Sequence, residues 1–125
     1  MRHESGDASD RDRLEHMLRA ARDAMTISQG RQRQDLDHDV MLQHALVHCV
    51  LLVGEAAARV TDVGRARVPQ LPWPRMAGMR HILVHAYFKV DYDAIWRTIT
   101  DHFPAMILDL EKALSDWPAP PPLPP

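Results

Sequence analysis

The sequence contains a single cysteine, Cys49, in 125 residues. An internal disulfide is therefore excluded, and we expect Cys49 to be a small buried hydrophobe. The start of the chain is charged and no apolar segment follows it, so we expect no signal peptide and a reducing, cytoplasmic setting. No uninterrupted apolar run approaches the roughly 18 residues that a membrane span needs.

Several motifs of common enzyme classes are missing. The chain has no phosphate-binding G-x-x-x-x-G-K-[ST] loop, no G-x-G-x-x-G fingerprint and no G-x-S-x-G elbow. These absences leave NTP hydrolysis, dinucleotide chemistry and serine-hydrolase chemistry without support. Two histidine pairs, His44/His48 and His81/His85, have a spacing that can place two imidazoles on one metal, but neither has the glutamate of H-E-x-x-H. We therefore expect no metal and no cofactor.

Positive charge is uneven along the chain. The formal net charge is −2, which argues against indiscriminate coating of nucleic acid. Lysine is rare, with Lys89 and Lys112 against thirteen arginines. Residues 59–75 contain four arginines and one aspartate, a local charge of +3. Arginine suits two-pronged contacts with phosphate, although an arginine-rich chain can equally reflect genome composition.

The spacing of apolar residues predicts one all-α domain, a four-to-five-helix bundle over residues 10–115. We expect a flexible lead over residues 1–9 and a disordered, proline-rich tail over residues 116–125. The predicted helices run approximately over residues 10–30, 37–63, 74–87 and 91–115. The second is apolar nearly all round, which predicts a central helix or one that also forms a subunit interface. Asp91 is a suitable cap for the last helix, and Pro104 is expected to kink it.

One stretch combines groups that can handle phosphate. On a helix, Arg80, His81, His85 and Tyr87 share one side, opposite the apolar residues around them. A cation, two imidazoles and a phenol can together bind a phosphate, move a proton and offer a hydroxyl. The alternative interpretation is ordinary: solvated histidines and a tyrosine that belongs to the core.

Three segments resemble the HepT-like branch of the HEPN superfamily. The first is the R-x4-H-x-Y motif, preceded by Pro72–Met79 and followed by Phe88–Asp91. The second is Leu51–Ala57, similar to the family's I-I-G-E-A-A segment, and the third is Ile95–Pro104, similar to its V-W-x-T-V-x-x-D-L-P segment. The resemblance extends from about Asp10 to Leu114. It implies an all-α bundle of the HEPN type that forms a two-fold homodimer.

The resemblance also implies a function. HepT-like proteins are metal-independent RNase toxins, each paired with a minimal nucleotidyltransferase antitoxin that transfers AMP to the motif tyrosine. The implied roles are catalysis by Arg80 and His85, and AMP acceptance by Tyr87. We expect supporting roles for His81 and Glu55, where Glu55 could pair with Arg80, and we expect RNA contacts from Arg65, Arg67, Arg75 and Lys89.

Two points stay open at the level of the sequence. His81 stands where the family usually carries asparagine or another polar residue, so either imidazole could act as the base. The alternative function is a catalytically inactive helical scaffold that binds the nucleotidyltransferase. A third interpretation is a helical bundle with a structural role alone.

Overall fold

The computed structural model describes residues 6–79, 90–118 and 124, with side-chain environments from Ser9 onward. Residues 80–89, which carry the R-x4-H-x-Y motif, lie outside the described residues, as does most of the predicted tail. Within the described ranges there is no strand. The prediction of an all-α protein is therefore confirmed.

The described helices follow the predicted order but are more numerous. They are α1 (Gly6–Ser28), a 3₁₀-helix (Arg33–Asp37), α2 (Val40–Arg59), α3 (Asp62–Arg67), α4 (Trp73–Ala77), α5 (Tyr92–Arg97), a π-helical turn (Thr98–His102) and α6 (Phe103–Ser115). The first helix, α1, packs against α2, α3 and α6, and α2 also packs against α4.

The first helix begins at Gly6, a few residues before the start that the sequence suggested, and the flexibility of residues 1–9 stays a prediction. The sequence suggested Ser9 or Asp10 as the start because both residue types are typical helix caps. The carboxylate of Asp10 is used elsewhere. It is fully buried and accepts hydrogen bonds from Thr61, so Asp10 lies inside α1 instead of capping it. The helix ends near the expected stop, Gly30, whose φ is +75°.

The second helix, which we predicted over residues 37–63, is shorter than expected and spans Val40–Arg59. Asp39 caps its start by accepting a hydrogen bond from the amide of Leu42 at 3.0 Å. It ends at Arg59 because Val60 is extended, and Thr61 then caps α3 by accepting from the amide of Gly64. Residues that we assigned partly to this helix and partly to a loop therefore form α3.

The break between α2 and α3 is tied to α1 through one buried carboxylate. Asp10 accepts from the Thr61 amide at 2.9 Å and from the Thr61 hydroxyl. A buried carboxylate is costly unless it is hydrogen-bonded, and here both oxygens accept. Gly64 leaves the room for this contact, because a Cβ there would lie 2.4 Å from Asp10 Oδ2.

The core lies between α1, α2 and α6. Its largest fully buried side chains include Leu14, Met17, Leu46, Phe103 and Leu110. Cys49 is buried among them, and this burial raises the pKa of its thiol to about 11. The prediction that Cys49 acts as a small core hydrophobe is confirmed.

By length and composition alone, α2 could cross a membrane, since an 18-residue window in it has a mean hydropathy of 1.6. We did not expect this, because Gln43, His44, His48 and Glu55 interrupt its apolar runs. In the structure 44% of that window is buried inside the protein, against α1 and α4. Other side chains in the same window, including His48 and Leu52, are exposed in the single chain.

The last helix begins at the cap that the sequence predicted. Asp91 caps α5 by accepting from the amide of Ala94 at 3.0 Å. A π-helical turn, Thr98–His102, precedes Pro104 and leads directly into α6. Pro104 has no N–H to donate back into that turn. The predicted kink itself stays a prediction.

The Asp10 contact yields a stability prediction. We expect Gly64→Ala to lower the free energy of unfolding by about 1–3 kcal/mol, because the new methyl overlaps the Asp10 side chain. The measurement is chemical denaturation, with Ala66→Gly, an exposed position of α3, as the control for helix propensity. That control should cost about 1 kcal/mol or less. A Gly64→Ala protein as stable as the wild type would contradict the proposed overlap.

Candidate ribonuclease site

The structure describes the segment that leads into the motif, whereas Arg80, His81, His85, Tyr87 and Lys89 themselves lie outside the described residues. Met79, immediately before Arg80, is buried with 3% of its surface exposed. The preceding helix α4 packs against α2. The chain therefore enters the motif from a residue that is anchored in the core.

Trp73 fixes the start of α4. Its side chain is buried, and its indole Nε1 donates a hydrogen bond to the carbonyl of Val68 at 3.0 Å. Pro74 follows in the first turn, as we predicted. Because a buried indole N–H needs an acceptor, this bond also holds the chain between α3 and α4 in place.

Arg65, one of the predicted RNA contacts, is engaged within the fold. Its Nε donates to the carbonyl of Val60 and its Nη2 to the carbonyl of Ala57, both at 3.2 Å. Its guanidinium also lies over the Trp73 ring, 5.5 Å from the centroid. These carbonyls close α2, where a cation is favourable. The structure thus gives Arg65 a role in joining α2, α3 and α4, and its contact with RNA stays a prediction.

The other two described candidates, Arg67 and Arg75, line two different grooves. Arg67 is exposed, and its guanidinium lies over the ring of Trp117, 4.9 Å from the centroid. Arg75 is exposed on α4 and lines a groove of about 160 Å³ against α6, together with Met79 and the carboxylates Asp101 and Asp109. The negative charge of these two carboxylates disfavours binding of a phosphate in this groove. RNA contacts from Arg67 and Arg75 stay predictions.

Glu55 lies half-buried on α2 and lines a cleft of about 430 Å³ between α1 and α2. The expected pairing with Arg80 stays a prediction, since Arg80 lies outside the described residues. The cleft contains several basic side chains that we did not single out from the sequence: Arg13, His16, Arg19 and Arg59. The spacing of the first three on α1 was a usable signal. The sequence could not show that Arg59 of α2 lies beside them, because this depends on how α1 and α2 pack.

The described part of the chain contains no group of three His, Cys, Asp or Glu side chains that could hold a metal ion. His44 and His48, the pair with i, i+4 spacing on α2, are both exposed. The pair His81/His85 lies in the undescribed stretch.

Comparison with known proteins places the chain in a family. A family model described as "Ribonuclease HepT-like" matches residues 17–113, which is most of the chain. The match spans α2, α4, the motif and nearly all of α6. The protein therefore belongs to the HepT-like ribonuclease family, as the three sequence segments indicated.

Individual relatives agree with this assignment. "Putative RNase TTE0752" of Caldanaerobacter subterraneus subsp. tengcongensis is 33% identical over 103 residues, which cover 82% of this chain and 88% of that protein. "Putative RNase MJ1380" of Methanocaldococcus jannaschii is 26% identical over 98 residues, covering 78% of this chain and 90% of that protein. "Probable ribonuclease HepT" of Thermococcus cleftensis is 33% identical over 79 residues, 63% of this chain and 72% of that protein. No solved structure matches the chain.

The contacts of Arg65 predict a structural effect of its loss. We expect Arg65→Ala to lower the free energy of unfolding by about 1–3 kcal/mol, because two carbonyls at the end of α2 lose their donor and Trp73 loses its cation. Thermal and chemical denaturation measure the change. Arg97→Ala is the matched control, since the Arg97 side chain is exposed and makes no hydrogen bond or ion pair within the described ranges. Equal stability of the two variants would refute the structural role.

Proposed function

We propose that this protein is an endoribonuclease that cleaves RNA without a metal ion, using Arg80 and His85. The observation that carries the proposal is the family match over residues 17–113, a region in which the arginine, histidine and tyrosine of the motif are all present. The relatives named as RNases support the same activity.

The chemistry follows from the groups that the motif supplies. A base removes the proton from a 2′-hydroxyl, whose oxygen attacks the adjacent phosphorus. The bond from phosphorus to the 5′-oxygen then breaks, and an acid protonates that oxygen. Histidine titrates near neutral pH and can act as base or acid, which is the role proposed for His85. Arg80 provides fixed positive charge where the pentacoordinate phosphorane gains negative charge. The products are a 2′,3′-cyclic phosphate and a 5′-hydroxyl.

We place the site at the interface of a two-fold homodimer. One chain supplies one motif histidine, with His81 as a possible second, whereas a symmetric pair would supply two copies of Arg80 and His85 to one cleft. The start of α2 supports an interface, because Val40 and Met41 are large apolar side chains that remain exposed in the single chain. Exposed apolar side chains on one helix are typical of a contact surface.

Tyr87 has a separate proposed role in regulation. As the motif tyrosine it would accept AMP from a cognate minimal nucleotidyltransferase, the antitoxin of a toxin–antitoxin pair in the cytoplasm. An added nucleotide places negative charge beside Arg80 and His85, which would both neutralise the cation and block the RNA. The expected supporting roles of His81 and Glu55, and the expected RNA contact of Lys89, belong to this same proposal.

A catalytically inactive scaffold for the nucleotidyltransferase is the second candidate. The net charge of −2 favours it, and so does the use of Arg65 within the fold, because both reduce the positive charge offered to RNA. The intact motif favours the enzyme, since a scaffold has no stated need for Arg80 and His85. Cleavage assays separate the two.

The proposed activity predicts that the purified protein degrades single-stranded RNA of mixed sequence in the presence of EDTA. We expect His85→Ala to be slower by a factor of about 10²–10⁴, the usual contribution of a general acid–base group. The specific activity should fall when the protein is diluted until sedimentation shows monomer. His38→Ala, which changes an exposed histidine outside the motif, should cleave as the wild type does.

Three results would contradict this account. Equal cleavage by wild type and His85→Ala would remove His85 from the mechanism. Intact RNA with the wild type, in protein that intact mass shows to carry no AMP, would favour the scaffold. A fully active monomer would contradict the shared site at a dimer interface.

The proposed regulation predicts the fate of the two tyrosines. After co-expression with the cognate nucleotidyltransferase, intact mass should show AMP on the wild type and none on Tyr87→Phe, which lacks the acceptor oxygen. Tyr92→Phe, at the start of α5, should accept AMP as the wild type does. Equal AMP stoichiometry on wild type and Tyr87→Phe would place the modification elsewhere.

A further inference from the structure

The cleft between α1 and α2 concentrates positive charge in a protein whose net charge is negative. Its basic lining residues are Arg13, His16 and Arg19 from α1 and Arg59 from α2. Two carboxylates, Asp23 and Glu55, also line it. With His16 neutral the cleft has a charge of +1, against −2 for the chain.

The arginines of this cleft differ from most others in the described ranges. Elsewhere, arginines are engaged by a carboxylate, a carbonyl or an aromatic ring: Arg11, Arg22, Arg31, Arg33, Arg65 and Arg67. Five described arginines have side chains with no such contact, and three of the five line this one cleft. Asp23 and Glu55 are each one helical turn from an arginine but form no ion pair with it within the described residues.

Arg13 shows that the cleft is incompletely satisfied. Its Nε atom is buried and has no hydrogen-bond partner among the described residues. A buried donor without an acceptor costs about 1–3 kcal/mol, so such groups call for a partner that the isolated chain does not supply. Arg13 as a whole is half-buried and lines the cleft.

The layout of the arginines fits a chain of phosphates better than a single one. Arg13 and Arg19 are six residues apart on α1, so their Cα atoms are separated by about 9 Å along the helix axis. Arg59 approaches from the last turn of α2 on the other wall. The remaining wall is small and aliphatic, with Ala20, Leu52 and Ala56. The described lining contains no aromatic ring on which a base could stack.

We infer that the cleft between α1 and α2 binds the sugar–phosphate backbone of the RNA substrate, with Arg13, Arg19 and Arg59 contacting phosphates. Contacts of this kind position a nucleic acid without reading its sequence. The inference rests on the proposed ribonuclease function, since it names the surface that holds the substrate. Asp23 and Glu55 moderate the positive charge and limit affinity for polyanions in general.

The test uses a fluorescent oligoribonucleotide of mixed sequence with 2′-O-methyl groups, which removes the attacking hydroxyl and prevents cleavage. Binding by the full chain is measured by anisotropy at several salt concentrations. Arg19→Gln and Arg59→Gln change exposed side chains and should each weaken binding on the order of tenfold, with a salt slope smaller by about 0.7. Arg97→Gln removes the same charge from an exposed, unpaired position outside the cleft and should stay within about twofold of the wild type.

Several results would overturn the inference. Equal weakening by cleft and control variants would reduce the effect to net charge, and no weakening by the cleft variants would leave the cleft without a role. If the cleft variants lost the ability to bind AMP but bound the oligonucleotide as the wild type does, the cleft would be assigned to a mononucleotide. A lower dimer fraction at unchanged RNA affinity would assign it to a contact between copies.

The cleavage assay keeps the two proposals separate. A wild type that cleaves RNA in EDTA while its cleft variants bind the oligonucleotide normally would refute the cleft assignment and leave the ribonuclease function in place. A wild type that binds RNA through the cleft but cleaves none would support the cleft assignment and refute the ribonuclease function.

Discussion

The buried carboxylate of Asp10 is the contact on which the arrangement of α1, α2 and α3 depends. Asp10 accepts from both the amide and the hydroxyl of Thr61, and a glycine at position 64 leaves it the necessary space. Removing this acceptor would leave the donors of Thr61 unpaired, so substitution of Asp10 at this joint between α1 and the start of α3 would be destabilising. It fixes where α2 stops and how closely α1 approaches it.

The same joint positions basic residues. Arg13 lies about one turn beyond Asp10 on α1, and Arg59 lies two residues before Thr61 at the end of α2. The contact between Asp10 and Thr61 therefore joins the two helices close to the arginines of the α1–α2 cleft. Beyond the break, Arg65 turns back to the last carbonyls of α2 and lies over Trp73. Near the end of α2, Arg65 therefore has a structural role, whereas Arg59 is unpaired within the described residues.

Sequence patterns predicted the helical class, the Asp91 cap and the family. These features depend on local chemistry, such as apolar spacing and a capping carboxylate. The break after Arg59 was missed although Thr61 is a local cap for α3, and the Asp10 carboxylate that joins this break to α1 lies 51 positions from Thr61 along the chain. The early start of α1 was missed because the carboxylate that suggested a cap is used in that distant contact.

The candidate site divides in the same way. Arg80, His85 and Tyr87 could be singled out because they are close together in sequence, and their roles remain predictions. The four arginines of residues 59–75 are close together in sequence, but the structure gives them different surroundings. Arg65 closes a helix, Arg67 lies over Trp117, and Arg59 joins the cleft with α1. The sequence shows how many arginines a segment has, whereas the groups that each arginine contacts depend on how the helices pack.

Analysis of the RNA ends produced by the wild-type protein in EDTA tests the central claim most directly. Attack by a neighbouring 2′-hydroxyl, aided by Arg80 and His85, predicts fragments with a 2′,3′-cyclic phosphate at one end and a 5′-hydroxyl at the other. Fragments with a 3′-hydroxyl and a 5′-phosphate would show that water or another nucleophile attacks the phosphorus, and would contradict the account.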